Sequence, residues 1–451
     1  MSDKSRTIIL AIFIGIAVLA VIAFVKMNVS PVVPRVDPGN VSVLKKGTRG
    51  KITDRDGVVL AYGSGSKRMY RFGALFEPVL GYAWPGIGVA GIEARYGERL
   101  TTAKDVKVSY FKGNAEPPSL KTTLSTHVQA AADKALGDRR GAVVVLDAAT
   151  GEVWVQLSHP SVSPHALRKN WERIKDATDS PLFDRASSAS RYPPGSVMKI
   201  TDALLLLKAR VTPFSCPGSI AVDGLVIRCA APHGHVSGLS DMFSRSCNAG
   251  FIGHVMTDAN ADEFYGAARK LGFVVPDVVV KGGDRRRALA VIGQGGILLS
   301  PMQAARIAAT VVNDGMMPEP VYVKGEGKLE RIIDPQEAKL LGQLMEGVVK
   351  TGTGRALVDM TRQGARLGLK TGTAEIEGKS RSVDWAVGFY TPPGGKQRFS
   401  YCVVVEEAEG YASEVCLPIV RRVIGAINAK CDGKRGNLAR PSAPALGKKK
   451  V

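Results

Sequence analysis

The chain has 451 residues, an ordinary hydrophobic fraction of 45% and a formal net charge of +20. That length holds one large globular domain and a smaller unit, and the composition excludes a disordered or low-complexity chain. The Lys and Arg residues are spread along the sequence without a helix-turn-helix or RNA-binding signature. A nucleic-acid partner is therefore not expected, and a basic surface facing an anionic membrane or polymer fits the charge.

In chain order, residues 1–6 carry Lys4 and Arg6, and Thr7 to Val25 form an uncharged apolar run long enough to cross a bilayer once. No cleavage site of the small-x-small kind precedes Lys26, so this run reads as an uncleaved signal anchor behind a cytoplasmic stub. With no second span in the sequence, the rest of the chain is expected outside the cytoplasm. Residues 26–118 read as a Pro/Val-rich linker and a small β-rich module, opening with a hairpin about Asp56-Gly57 in RGKITDRDGVVLAYG.

From residue 119 to 429 the pattern is that of one larger domain. SLKTTLSTHVQAAADKAL predicts a strand and then a helix capped by Ser125. GAVVVLDAATGEVWVQLSH predicts a hairpin about Asp147–Glu152, and VDWAVGFYTPPGGKQRFSYCVVVEE a second one about Pro392–Lys396. Mostly helical segments lie between them, and a closing helix spans Ala412–Ala429. Strands from both ends with helices between predict an α+β domain, an antiparallel sheet covered by helices. Residues 430–451 are basic and Pro/Gly-rich and read as a disordered tail.

Three short motifs carry chemistry. In RYPPGSVMKITDALLLL, Ser196 and Lys199 are three residues apart on a helix expected to begin near Ser196, so both project from one face. A serine hydroxyl needs a base to become a nucleophile, and a buried lysine with a lowered pKa can be that base. In FSRSCNAGF, Ser246 and Asn248 place a proton-relaying hydroxyl and a backbone-binding amide two residues apart, on a loop entering a helix. The tetrad KTGT occurs twice. Lys350–Thr353 ends a helical pattern, whereas Lys370–Thr373 reads as a strand joining the sheet, with Gly372 leaving room for a second backbone. Neither copy has the spacing of a phosphate-binding loop. The second copy is the working motif and the first its echo.

Ser-x-x-Lys, Ser-x-Asn and Lys-Thr-Gly in this order are the signature of penicillin-binding proteins and class A β-lactamases. The chain resembles a class B, monofunctional penicillin-binding protein. Its YPPGSVMK, SPLFDRA, GAVVVLDAATGEVWV, RGKITDRDGVVLA and GIEARYGERL blocks are similar to that family's, and VVKTGTGRALV falls where relatives often carry a Gly-Thr. The resemblance implies a penicillin-binding transpeptidase fold and D,D-transpeptidation of peptidoglycan stem peptides ending in D-Ala-D-Ala, with β-lactams acylating the same serine.

It implies Ser196 as nucleophile, Lys199 as general base and Ser246 as proton donor to the leaving amine. Asn248 would hold the acyl chain's amide. Lys370, Thr371, Gly372 and Thr373 would form the strand that receives the terminal carboxylate, with the N–H groups of Ser196 and Thr373 as oxyanion hole. It further implies a bacterial cytoplasmic-membrane protein of one span with a glycan polymerase of the SEDS type as partner. The chain departs from class B in the short stretch between anchor and catalytic domain, which reads as a reduced pedestal. Relatives usually carry Phe where this chain has Ala386 after Trp385. A D,D-carboxypeptidase, with water as acceptor, and a non-catalytic scaffold or β-lactam sensor are the alternatives. A β-lactamase is disfavoured because no Glu-x-x-Leu-Asn segment supplies a deacylating base.

The chemistry requires no cofactor or catalytic metal. Cys216, Cys229 and Cys247 do lie near His233 and His235, and some relatives carry a zinc close to Ser-x-Asn. A structural zinc on Cys216, Cys229, His235 and Cys247, a Cys216–Cys229 disulfide and free thiols are the three readings of this spacing.

Overall fold

Two apolar hairpins from opposite ends of the larger domain supply four strands of its sheet. The computed structural model describes residues 48–101, 118–375 and 381–432; the expected stub, the anchor at 7–25 and most of the basic tail lie outside them. Strands Gly141–Asp147 and Val153–His159 turn where the Asp147 carboxylate accepts from the N–H groups of Ala149 and Thr150. Strands Ser382–Thr391 and Phe399–Ala408 form the second hairpin, and Arg366–Glu375 adds the fifth strand.

All neighbouring strands are antiparallel, in the order Arg366–Glu375, Ser382–Thr391, Phe399–Ala408, Gly141–Asp147, Val153–His159. Every residue of Ser382–Thr391 is buried, so helices cover the sheet on both faces. Helix Pro301–Val312 packs with Pro335–Thr351, and Thr126–Leu136, capped by Ser125, packs with Leu417–Cys431. The expected closing helix is divided into Ala412–Val415 and Leu417–Cys431, with Pro418 at the start of the second piece, and it runs past the expected end at Ala429. Among the described residues no helix is long and apolar enough to cross a membrane.

The module ahead of the sheet is built on short strands in the order Met69–Tyr70, Val59–Tyr62, Ile52–Thr53, Leu120–Lys121, with three short helices from Glu77 to Leu100. Leu120–Lys121, just beyond the expected boundary at residue 118, completes this sheet by pairing parallel to Ile52–Thr53. Beside an apolar interior that includes Leu60, Phe76, Leu80, Trp84 and Leu100, the module holds a buried charge cluster. Glu93 receives Arg49 at 2.5 Å, Arg68 at 2.8 Å and the Tyr70 hydroxyl at 3.1 Å, all buried.

Between the hairpins, the stretch expected to be mostly helical also holds small β-ribbons, two of them beside the Ser246 loop. In these two, Phe214–Cys216 pairs with Gly234–Val236, and Ser219–Val222 with Leu225–Arg228.

Candidate active site

Ser196 sits in a single 3-10 turn, Gly195–Met198, and the α-helix expected from Ser196 begins at Lys199. Tethers at both ends of the lead-in hold that turn. The Gly195 N–H donates to Gly293 O at 3.0 Å, and Trp385 Nε1 donates to Pro193 O at 3.0 Å. In a 3-10 turn side chains three apart eclipse, which brings Lys199 Nζ within 2.8 Å of Ser196 Oγ. Ser196 remains partly accessible while Lys199 is 0% exposed.

Ser246 occupies the left-handed region at φ 57°, unusual for a residue with a Cβ. The turn lets its Oγ meet two lysines. Lys199 Nζ reaches it at 3.2 Å and Lys370 Nζ at 2.9 Å. Lys199 Nζ also donates to Ser246 O at 2.9 Å and Asn248 Oδ1 at 2.5 Å. Those two oxygens only accept. A neutral amine has two N–H bonds to give them, and its lone pair then faces the Ser196 hydroxyl.

The electrostatics favour that state. Burial first of all lowers Lys199 to about 8, with the Asp202 carboxylate the largest opposing influence. Lys370 is held well below its usual range by burial and by the neighbouring Lys199 charge. The Phe251 and Phe243 rings lie 5.8 Å from the Lys199 and Lys370 ammonium nitrogens respectively.

The strand bearing Lys370 is the sheet edge. Lys370 Nζ donates to Thr371 O at 2.8 Å. Gly372 abuts the Ser196 turn so closely that a Cβ there would lie 2.8 Å from Pro194 O and 3.2 Å from the Val197 nitrogen. Thr373 is half-exposed, and a Cβ on Gly195 would sit 2.7 Å from its carbonyl oxygen. Ala386 stands opposite Thr371 on the neighbouring strand and is buried. Asn248 Nδ2 donates to Arg228 O at 2.7 Å, tying the Ser246 loop to a β-ribbon.

A partly accessible serine beside a buried lysine, a second serine between two lysines and an edge strand next to them form an acyl-transfer arrangement. Residues 141–425 match the penicillin binding protein transpeptidase domain family. The chain belongs to that family. It is 27% identical to the peptidoglycan D,D-transpeptidase PbpA of Mycolicibacterium smegmatis over 94% of this chain and 99% of that protein. It resembles the crystal structure of PBPA from Mycobacterium tuberculosis with TM-score 0.71 and 25% identity, covering 84% of this chain and 98% of that one. The ceftriaxone acyl-enzyme complex of M. tuberculosis penicillin-binding protein A resembles it with TM-score 0.72 and 25% identity, over 86% and 99% of the two chains.

For a penicillin-binding transpeptidase fold, the predicted residues are placed compactly. Ser196, Lys199, Ser246, Asn248 and Lys370 are linked by hydrogen bonds, and Gly372 packs on the nucleophile's turn. Sequence reasoning missed Asp202, one turn beyond Lys199, fully buried with neither carboxylate oxygen hydrogen-bonded. No motif marks a lone Asp in an apolar helix. It also set aside Thr353, whose Oγ1 lies 2.7 Å from that of Thr371. The repeated tetrad was the signal.

The cysteine cluster lies directly behind this site. Cys216, Cys229, His233 and Cys247 bring four ligand atoms within 4.8 Å of one another. The Sγ separations are 3.4, 3.8 and 3.9 Å, and His233 Nδ1 is 3.6 Å from Cys216. All three thiols are free, so the Cys216–Cys229 disulfide does not form in this structure. The histidine differs from the predicted His235. Cys216 pairs opposite Gly234 and His235 opposite Ser215. Alternate strand residues face opposite ways, so His235 projects outward and the turn residue His233 enters the cluster.

The donor set fits zinc, since a tetrahedron with Zn–S bonds of about 2.3 Å has edges of about 3.8 Å. The Cys229 thiol is pulled down, chiefly by the hydrogen bond from Cys247 and also by the Ala249 N–H. Thiolate is the form a metal binds.

Proposed function

We propose that this chain is a peptidoglycan D,D-transpeptidase working through an acyl-Ser196 intermediate. The observation that carries the reading is the contact of Lys199 Nζ with Ser196 Oγ, Ser246 and Asn248 inside a buried site. Neutral Lys199 takes the Ser196 proton as Oγ attacks the penultimate D-Ala carbonyl. The N–H groups of Ser196 and Thr373 receive the oxyanion, while Asn248 holds the donor stem's amide. As the C–N bond breaks, Ser246 passes the proton to the departing D-Ala amine and is resupplied from Lys199. Lys370, Thr371 and Thr373 bind the terminal carboxylate. An amine of a second stem then attacks the ester, forming the cross-link and restoring the Ser196 hydroxyl. A β-lactam opens its ring amide on the same oxygen, and the leaving nitrogen stays tethered in the site.

The same reading places the apolar run 7–25 in the bacterial cytoplasmic membrane, with the catalytic domain outside, where stem peptides are exposed. A glycan polymerase of the SEDS type supplies the strands to be cross-linked. A structural zinc on Cys216, Cys229, His233 and Cys247 closes the support behind the Ser246 loop. Four protein ligands leave it no open position, so it supplies rigidity and no step of the reaction.

The test uses the full chain and its Ser196→Ala variant with fluorescent penicillin, followed by a chase with unlabelled drug. Label persisting for hours on the wild type alone is expected. Label lost within seconds would indicate a lactamase, and no label on either protein would leave a scaffold. A D-Ala-D-Ala stem peptide supplied with an amine acceptor then separates cross-linked product from the hydrolysis of a carboxypeptidase.

A further inference from the structure

Helix Pro335–Thr351 ends in a turn, Gly352-Thr353-Gly354, that touches both halves of the site. On one side it meets the helix that leads to Ser246. The Thr353 N–H donates to Ser244 O at 3.3 Å, and a Cβ on Gly352 would lie 2.2 Å from that same oxygen. On the other side it meets the Lys370 strand, through Thr353 Oγ1 at 2.7 Å from Thr371 Oγ1. The Gly354 N–H donates back to Val348 O at 3.0 Å and fixes the turn to its helix. Ser246 Oγ and Lys370 Nζ, 2.9 Å apart, bridge the two halves that this turn braces.

We propose that Thr353 is a positioning residue for recognition of the substrate's terminal carboxylate, acting through the Thr371 hydroxyl. Two hydroxyls bonded to each other have two O–H groups and use one, so the pair always retains one O–H to donate. Beside Lys370, an incoming carboxylate selects the arrangement in which Thr353 donates to Thr371 and Thr371 donates to the anion. Thr353 thereby fixes the rotamer of Thr371 and occupies its acceptor side, leaving the donor directed at the ligand. Without the Thr353 hydroxyl, the Thr371 proton has no fixed direction, and its charge-assisted bond to the carboxylate weakens. Half-buried Thr353 and buried Thr371 keep this relay at the cleft wall. The first Lys-Thr-Gly-Thr tetrad is thus a working part of the site, entered through its fourth residue.

The inference rests on the transpeptidase reading above. Its test compares the full chain with Thr353→Val and Thr353→Ser, measuring second-order acylation rates for benzylpenicillin and for its methyl ester, which lacks the carboxylate charge. Thr353→Val is expected to lose about tenfold with benzylpenicillin, the scale of one hydrogen bond to a charged group, and less than about twofold with the ester. Thr353→Ser should stay within about threefold of wild type on both. Ester acylation at the wild-type rate also shows that the valine variant is folded. Equal losses on both compounds, or no loss on either, would overturn this proposal alone. A wild-type chain that neither compound acylates would overturn it together with the transpeptidase reading.

Discussion

At the scale of single residues, the site depends on how a lysine loses its proton. Burial disfavours the ammonium of Lys199 and brings it to about 8, so the neutral base accumulates as pH rises through that value. The acylation rate is therefore expected to climb about tenfold per pH unit below 8 and to level off above it. A pH–rate profile checks this, and a flat profile from pH 6 to 9 would remove Lys199 as the base. Lys199→Ala should lower acylation by about 10³-fold or more at pH 8. Asp202 attracts the Lys199 proton from one turn away, inside the same buried layer. Replacing it in Asp202→Asn removes that attraction, so the midpoint should move down. An upward move would contradict the electrostatic account.

At the scale of elements, the Ser246 loop is supported from behind by sulfur. Cys247 lies between Ser246 and Asn248 in sequence, and its Sγ accepts from the Gly250 N–H as the cap of helix Asn248–Asp258. The same sulfur is 3.4 Å from Cys216 on the neighbouring ribbon. Anything that loosens the cluster moves both catalytic-loop side chains together. Chain purified without chelator should contain about one zinc per molecule by atomic emission, and Cys216→Ser should lose it. The same variant should be less stable by on the order of 3 kcal/mol. Wild-type protein free of metal and as stable as the variant would refute a zinc role. His235→Ala should retain the metal, and His233→Ala should not, because strand alternation sends His235 outward.

At the scale of the whole molecule, the small module and the catalytic domain bring together two acids, buried Glu77 and partly buried Asp184. Glu77, in helix Glu77–Leu80, is raised from 4.5 to about 8, first by burial and then by the Asp184 charge. Asp184, in the lead-in to the Ser196 turn, rises to about 6 through burial. A carboxyl raised on folding binds its proton more tightly in the native state. Its stabilisation is complete below pH 4.5 and is lost as pH rises through 8. Wild-type stability should fall between pH 5 and 8 by on the order of 3 kcal/mol more than that of Glu77→Gln. Denaturation at pH 5, 6.5 and 8 compares the two slopes, and identical slopes would show that Glu77 does not titrate there.

Much of this protein was legible in the linear sequence because its signals are local. Alternating and continuous apolar runs marked both hairpins, Ser125 marked a helix start, and Ser196, Lys199, Ser246, Asn248 and Lys370 stood in motifs of fixed spacing. The tertiary structure decided what depends on convergence. Lys370 and Ser246 meet across 124 positions, and the choice of His233 over His235 follows from strand register. Asp202 became significant only once its helix was buried beside two lysines. Thr353 became significant only once its helix ended against the sheet edge, 2.7 Å from Thr371. Propensity and periodicity act over a few residues, whereas burial and hydrogen-bond geometry arise from packing between segments far apart in the chain, and spacing along a sequence does not encode those distances.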